Sequence, residues 1–248
     1  MTSVIHLDLD TIPILLTKIP PGDFLMGSDN DLYSEVPRHR VLIAEPFWMS
    51  RTPIIQAQWA AVMGDNPSTF QGDLALPVDG VSWDMAMDFC QRLGEQVGRR
   101  ITLPSETQWE YACRSGTTDE FFCLPGGPYR DETDVTLAVR EQLREYAWFE
   151  DNSRERTWPV GQKRANLWGL HDMLGQVWEW CLDVWHDSYE GAPVDGSANL
   201  ADADRQPRRV LRGGAWDSDG FRLRSCYRSF DWRQLGTDRF GLRVVVEN

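Results

Sequence analysis

The feature that most constrains this 248-residue chain is its set of twelve tryptophans. Tryptophan has a large apolar ring system and an N–H group that needs a hydrogen-bond partner when it is buried. Such a density predicts a loop-rich fold whose core is filled by aromatic side chains rather than by long regular elements. It is also compatible with a protein that binds sugars or peptides. We expect most of the tryptophans to lie in the core.

Short elements are predicted by the spacing of apolar residues and by capping and turn signals. Helices are expected over 55–63, from about residue 82, after the capping box at 105–108, and over 136–145. Strands are expected over 22–27, 41–50, 178–185, 210–212 and 242–246. The sequence contains no repeat of 20 to 50 residues and no linker rich in Gly, Ser or Pro. We therefore expect one α+β domain over residues 1–248, irregular, with few short helices and short antiparallel strands.

Charge and hydropathy exclude several classes of protein. The net charge is −13, which disfavours binding to nucleic acid or to an anionic membrane. No apolar run is long enough for a membrane span, and the first residues lack the pattern of a secretory signal, so we expect a cytoplasmic protein. Residues 205–243 nevertheless carry ten Arg and four Asp. This basic segment indicates either charge complementarity within the protein or a binding surface.

Cysteine and histidine give no metal or nucleophile signature. The five cysteines include no CxxC pair, and the four histidines form no HExxH motif. There is likewise no GxSxG motif, P-loop or dinucleotide-binding glycine pattern. We expect the cysteines to be reduced and to pack as small apolar residues.

Five blocks in fixed order resemble the formylglycine-generating enzyme family, also called sulfatase-modifying factors. Together they extend from about residue 14 to the C-terminus. The resemblance implies an irregular variant of the C-type lectin fold, in agreement with the aromatic-rich composition. The blocks are Ile19-Pro20-Pro21-Gly22-Asp23-Phe24-Leu25-Met26-Gly27-Ser28, Pro77-Val78 with Val81-Ser82-Trp83, Leu103-Pro104-Ser105-Glu106 with Trp109-Glu110-Tyr111-Ala112, residues 166–180 ending in Gly175-Gln176-Val177-Trp178-Glu179-Trp180, and Arg212-Gly213-Gly214 with Arg224-Ser225, Arg228 and Gly241-Leu242-Arg243-Val244-Val245.

The family's copper chemistry is not expected here. Its oxidases bind copper with two cysteines shortly after the Gly-Gly of the last block, because thiolates suit Cu(I). Between Gly214 and Arg224 this chain has no cysteine, and Cys226 lies further on. The resemblance therefore implies a protein without copper and without the oxidase reaction.

A structural calcium ion is implied by the same resemblance. The family binds calcium within the block that ends in Trp-Glu-Trp, and oxygen ligands of this kind suit the ion. By resemblance, Asp172 and Glu179 would supply side-chain oxygens, and Gly175 and Val177 would supply backbone carbonyls. Alternatively, the two carboxylates only hydrogen-bond to backbone and arginine in a packed core.

Within the family, the C-terminal part resembles the variable proteins of diversity-generating retroelements. Those proteins bind ligands without catalysis, on a surface rewritten by mutagenic reverse transcription. Asparagine, common in their templates, is absent between Asn199 and Asn248. The mixture of rings and short polar groups is typical of a paratope. We expect a binding surface within about 210–246, for a protein or another macromolecular ligand, formed by Trp216, Asp217, Ser218, Asp219, Phe221, Tyr227, Ser229, Phe230, Asp231 and Trp232.

Two other functions stay open. An iron-dependent oxidoreductase would need ligands such as His171 and His186 with Asp183 or Asp187, although their spacing does not match that of a facial triad. An accessory or sensor module of a partner enzyme is the third alternative, because the fold is often fused to kinases or proteases.

Overall fold

The computed structural model describes residues 4–7, 12–29 and 32–246. Four α-helices occur within them: α1 (Gln56–Met63), α2 (Trp83–Val97), α3 (Glu106–Arg114) and α4 (Leu137–Leu143). The strands are β1 (Val4–Leu7), β2 (Ile14–Ile19), β3 (Gly22–Met26), β4 (His39–Ile43), β5 (Phe47–Ser50), β6 (Ile101–Thr102), β7 (Trp178–Val184), β8 (Arg208–Arg212), β9 (Arg228–Trp232), β10 (Phe240–Gly241) and β11 (Val245–Val246). This mixture of short helices and strands confirms the predicted α+β class.

Local sequence signals locate the helices well. The Ser82 hydroxyl accepts the Met85 N–H at 3.2 Å and begins α2. The apolar face predicted for that helix is buried in full, at Ala86, Phe89, Cys90 and Leu93. Helix α1 ends at Gly64, whose φ of 84° is left-handed and therefore suits glycine.

The strands form three sheets. One has the order β1-β2-β5-β11-β6, the second β10-β7-β8-β9, and β3 pairs with β4 alone. All pairs are antiparallel except β7 with β10. Strand β11 lies between β5 and β6, so the last described residues pair with strands from the first half of the chain. Strand β9 is one of the two outer strands of the second sheet.

Five strands lie outside those predicted from sequence: β1, β2, β6, β9 and β10. Among them, β9 is formed by residues 228–232. Of the strand predicted over 242–246, only Val245–Val246 forms a strand, β11, and β10 precedes the predicted range. Half of the candidate binding residues thus lie on or next to a sheet edge rather than in loops.

The core is aromatic, as the composition predicts. All twelve tryptophans lie within the described residues; eleven are buried or half-buried, and Trp232 is exposed. The five cysteines are unpaired, and four of them are buried. Burial raises the pKa of the Cys113 thiol to about 12. Among the described helices, none has the length and apolarity needed to cross a membrane.

Candidate functional site

Four arginines of the basic C-terminal segment are buried against glutamates from distant parts of the chain. Arg228 donates from Nε and Nη2 to the two oxygens of Glu106 at 2.6 and 2.8 Å. Helix α3 also presents Glu110, which accepts from Arg212 Nη2 at 2.5 Å. We call the full set the arginine–glutamate core: Arg212, Arg224, Arg228 and Arg243 with Glu35, Glu106, Glu110 and Glu179.

The sequence left open whether the basic segment pairs with charges inside the protein or forms a binding surface. For these four arginines the answer is pairing inside the protein. Burial alone would raise the pKa of Glu106. The positive charges of Arg228 and Arg212 lower it by more, so the pKa of Glu106 lies below its usual range. The carboxylate is therefore charged at neutral pH. Removing one partner of a buried pair typically costs about 3–5 kcal/mol, because the other charge remains uncompensated.

Asp183 is a second buried carboxyl beside this core. Its oxygens accept the backbone N–H groups of Glu106 at 2.6 Å and Asn199 at 2.7 Å. Burial and the nearby charge of Glu106 raise the pKa of Asp183 to about 7. Its role is to hold the first turn of α3, which carries Glu106, against the chain after β7.

The predicted binding residues of β9 divide between the two faces of the sheet, because side chains alternate along a strand. Phe230 and Trp232 lie on one face and are 38% and 55% exposed. Ser229 and Asp231 lie on the other and are half-buried. The expectation of one surface holding all four is therefore wrong.

Two residues outside the predicted binding set, Trp185 and Arg208, pack against the Phe230 ring on this face of β9. The Phe230 ring packs on Trp185, with 4.6 Å between centroids, and the Arg208 guanidinium lies 4.7 Å from the Phe230 ring centre. The register pairs Arg208 with Trp232 across β8 and β9. The alternation Arg-Ser-Phe-Asp-Trp in 228–232 was the signal that could have revealed this strand.

Trp216 and Asp217 form a separate, half-buried group. Trp216 donates from Nε1 to the Asp238 carbonyl at 3.0 Å and meets Phe70 edge to face at 5.5 Å. Asp217 forms an ion pair with Arg239. Both side chains are therefore already engaged within the protein.

Phe221 and Tyr227 are half-buried and pack on each other at 5.8 Å. The Arg224 guanidinium lies 3.9 Å from the Phe221 ring centre, so this pair covers one end of the arginine–glutamate core. Partial exposure leaves both rings accessible from one side.

Ser218 and Asp219 have structural roles. Ser218 is buried, and its hydroxyl accepts the Ala215 N–H at 2.9 Å, so its prediction as a surface residue is wrong. Asp219 caps the short 3₁₀ turn Gly220–Leu223 by accepting the Arg222 N–H at 3.0 Å. Short polar residues serve turns as readily as ligands, which is why sequence alone misassigned Ser218.

The predicted calcium ligands fit the ion poorly. Glu179 accepts from Arg243 Nε and Nη2 at 2.6 and 2.8 Å and from Trp109 Nε1 at 2.6 Å. The Glu179 carboxylate is therefore already neutralised by the Arg243 guanidinium.

Asp172 accepts the Gly161 N–H at 2.7 Å through one oxygen, while its other oxygen is buried without a partner among the described residues. Burial raises the pKa of Asp172 to about 6. Glu179 therefore does not fit the calcium set with Asp172, Gly175 and Val177.

The residues considered as iron ligands are each hydrogen-bonded to a different group of the protein. His171 Nδ1 lies 2.8 Å from the Lys163 carbonyl, and His186 Nδ1 lies 3.1 Å from the Val184 carbonyl. Asp187 accepts from Trp185 Nε1 at 2.8 Å. Within residues 4–7, 12–29 and 32–246, no three His, Cys, Asp or Glu side chains gather as a metal site would require.

Comparison with known proteins establishes the class. The sequence model of one protein family, the sulfatase-modifying factor enzyme 1-like domain, matches residues 15–248. The chain therefore belongs to this family, that of the formylglycine-generating enzymes. It is 29% identical over 237 residues to the chaperone protein LppX of Paenibacillus barcinonensis, covering 80% of this chain and 79% of that protein. It spans about half the length of the mouse and bovine formylglycine-generating enzymes, 54% and 53%.

Two solved structures share the fold over nearly the whole chain. PvdO from Pseudomonas aeruginosa superposes with a TM-score of 0.83 at 26% identity, covering 99% of this chain and 98% of its own. Variable protein 1 of Treponema denticola superposes with a TM-score of 0.84 at 22% identity, covering 100% of both. The C-type lectin-like fold is thereby confirmed, and it is shared with a variable protein.

Proposed function

We propose that the protein binds a macromolecular ligand without catalysis, through the face of β9 that carries Phe230 and Trp232. The observation that carries this proposal is the exposure of Trp232 in a chain whose other eleven tryptophans are buried or half-buried. A large ring left in water forgoes the free energy of burial, and aromatic rings are enriched among the residues that dominate binding.

The scaffold supports the same proposal. Arg228 begins β9 and is held by two hydrogen bonds to Glu106, whereas Trp232 ends the strand in solvent. A binding face anchored in this way is preorganised, which lowers the entropy lost on association.

Half-buried Phe221 and Tyr227 are also proposed to belong to the binding surface, whereas buried Ser218 is not.

An array of glycans and folded proteins tests the binding function. We expect ligands bound by the wild type to lose at least about 2 kcal/mol of binding free energy in Phe230→Ala or Trp232→Ala, as aromatic anchors do. Leu167→Ala is the matched control, because Leu167 is 73% exposed and lies outside the C-terminal segment. Binding that survives in the double variant Phe230→Ala, Trp232→Ala would contradict the proposal.

Diversification by a retroelement is proposed as the origin of this face. The fold shared with variable protein 1 of Treponema denticola supports it, as does the absence of asparagine between Asn199 and Asn248. The test is a search of the flanking DNA for a reverse transcriptase gene and an imperfect repeat of the last coding segment. Mismatches that fall at adenines of the repeat would support the proposal, and mismatches elsewhere would exclude it.

A further inference from the structure

A column of rings and guanidinium groups leads from the arginine–glutamate core to the surface of β9. Arg228 lies 4.1 Å from the ring centre of Tyr189 and 4.6 Å from that of Trp185. Trp185 packs on Phe230 at 4.6 Å, and Arg208 covers Phe230 at 4.7 Å. We call these five residues the aromatic–arginine column. It has one arginine near each end.

The two arginines of the column differ in their anionic partners. The inner one, Arg228, is matched by Glu106, whose two oxygens accept from Nε and Nη2. The outer one, Arg208, donates from Nε to the Gln206 side-chain oxygen at 3.1 Å. Among the described residues, no carboxylate forms an ion pair with Arg208 and no acceptor meets its terminal nitrogens. A planar guanidinium with these nitrogens open beside a ring is suited to a carboxylate.

The backbone next to Arg208 also has unused hydrogen-bonding groups. The Arg208 carbonyl accepts the Trp185 N–H at 3.1 Å, so it faces β7 and not β9. Arg208 and Trp232 are consequently a non-hydrogen-bonded pair in the β8–β9 ladder, and the alternation makes Val210 and Phe230 another. The N–H and C=O groups of Phe230 therefore point away from β8, toward the open edge of the sheet.

Further along the strand the edge is closed by local contacts. The Trp232 N–H donates to the Asp231 side chain at 2.8 Å, and the Trp232 carbonyl accepts the Leu235 N–H at 2.8 Å. Local capping of this kind prevents unlimited strand pairing. By the same alternation, the main-chain groups of Arg228 and Phe230 point toward this edge, and the ring of Phe230 lies 4.7 Å from the guanidinium of Arg208.

We propose that this edge binds a short extended segment of a protein partner that carries an Asp or Glu side chain. The segment pairs with the N–H and C=O of Phe230, its carboxylate accepts from the terminal nitrogens of Arg208, and Trp232 covers its apolar residues. This is recognition by strand addition, with an ion pair added for specificity. The inference rests on the proposed function and assigns the chemistry of its ligand.

Two synthetic seven-residue strand-forming peptides, identical except for a central Glu or Gln, test the carboxylate contact by fluorescence anisotropy. We expect the Glu peptide to bind the wild type about tenfold or more tighter than the Gln peptide, the range of a charge-assisted hydrogen bond. Arg208→Gln should remove this preference. Arg205→Gln is the matched control, because Arg205 is an exposed arginine outside the column, and it should keep the preference.

Amide hydrogen exchange tests the main-chain contact. Bound Glu peptide should slow exchange at Phe230, and a peptide N-methylated at the pairing residue should not. The inference is overturned by equal affinity for the Glu and Gln peptides, by equal losses in the Arg208 and Arg205 variants, by unprotected Phe230, or by no binding at all. If array ligands still depend on Phe230 and Trp232 in any of these cases, the proposed function stands and only this inference fails.

Discussion

Arg228 and Trp232 lie on the same face of strand β9, yet they belong to different regions of the molecule. Arg228 is buried and charge-matched by Glu106, whereas Trp232 is 55% exposed. The arginine–glutamate core therefore fixes one end of the strand, and the other end is exposed to solvent. The comparison teaches that a scaffold can keep its core while its surface residues are replaced. The core is held by ion pairs inside the protein, and the exposed side chains take no part in those pairs.

The largest effect is expected in the core. Glu106→Ala would leave Arg228 buried without its bidentate partner and weaken the charge balance at Arg212, so the free energy of unfolding should fall by about 5 kcal/mol. Urea unfolding measures this. The control is Asp88→Ala, which removes an exposed carboxylate paired with Arg92 and should cost about 0.5 kcal/mol. A loss below about 1 kcal/mol for Glu106→Ala would show that the core is not held by charge matching.

Trp180 tests the aromatic part of the core. It is fully buried, and its Nε1 donates to the Val81 carbonyl at 2.9 Å. Trp180→Ala should cost about 3–5 kcal/mol of unfolding free energy, because a large cavity and an unpaired carbonyl remain. Trp180→Phe should cost less. Equal, small losses for both variants would contradict the assignment of Trp180 to the core.

The pH dependence of stability sharpens the picture of the core. Burial raises the pKa of Asp183 to about 7 and those of Asp172 and Asp79 to about 6. Between about pH 4 and pH 7 the folded state thus binds protons that the unfolded state has lost, so stability falls as pH rises. The lowered pKa of Glu106 acts only in more acidic solution.

We expect the unfolding free energy to be roughly 3–4 kcal/mol lower at about pH 8 than at about pH 5.5. Urea titrations at the two pH values measure it. Asp183→Asn should reduce the difference, because the substituted side chain does not titrate. A stability that increases between these pH values would contradict the assignment.

Local chemistry explains which parts of the fold could be predicted from sequence. Ser82, Ser105 and Gly64 begin or end helices through contacts within four residues, so their signals are in the sequence itself. The pairs of the arginine–glutamate core are different, since Arg228 and Glu106 are 122 residues apart. Arg208 was missed for the same reason, because its position beside Phe230 depends on the register of β8 with β9.

Chelator sensitivity tests whether the core depends on a metal in addition to arginine. Since Arg243 and Trp109 already occupy the Glu179 oxygens, chelator should change the melting temperature by less than about 2 °C. Thermal unfolding with and without added calcium measures this. A larger fall that Glu179→Gln abolishes would restore Glu179 as a calcium ligand.

The most direct test of the division between core and binding face is the unfolding free energy of Trp232→Ala, measured by urea beside Trp180→Ala. Because Trp232 is more than half exposed at a sheet edge, its removal should cost about 0.5 kcal/mol or less, several-fold below the loss for Trp180. Phe230→Ala should cost slightly more, because its ring packs on Trp185. If Trp232→Ala destabilises the protein as severely as Trp180→Ala, Trp232 belongs to the core and β9 is not a free binding face.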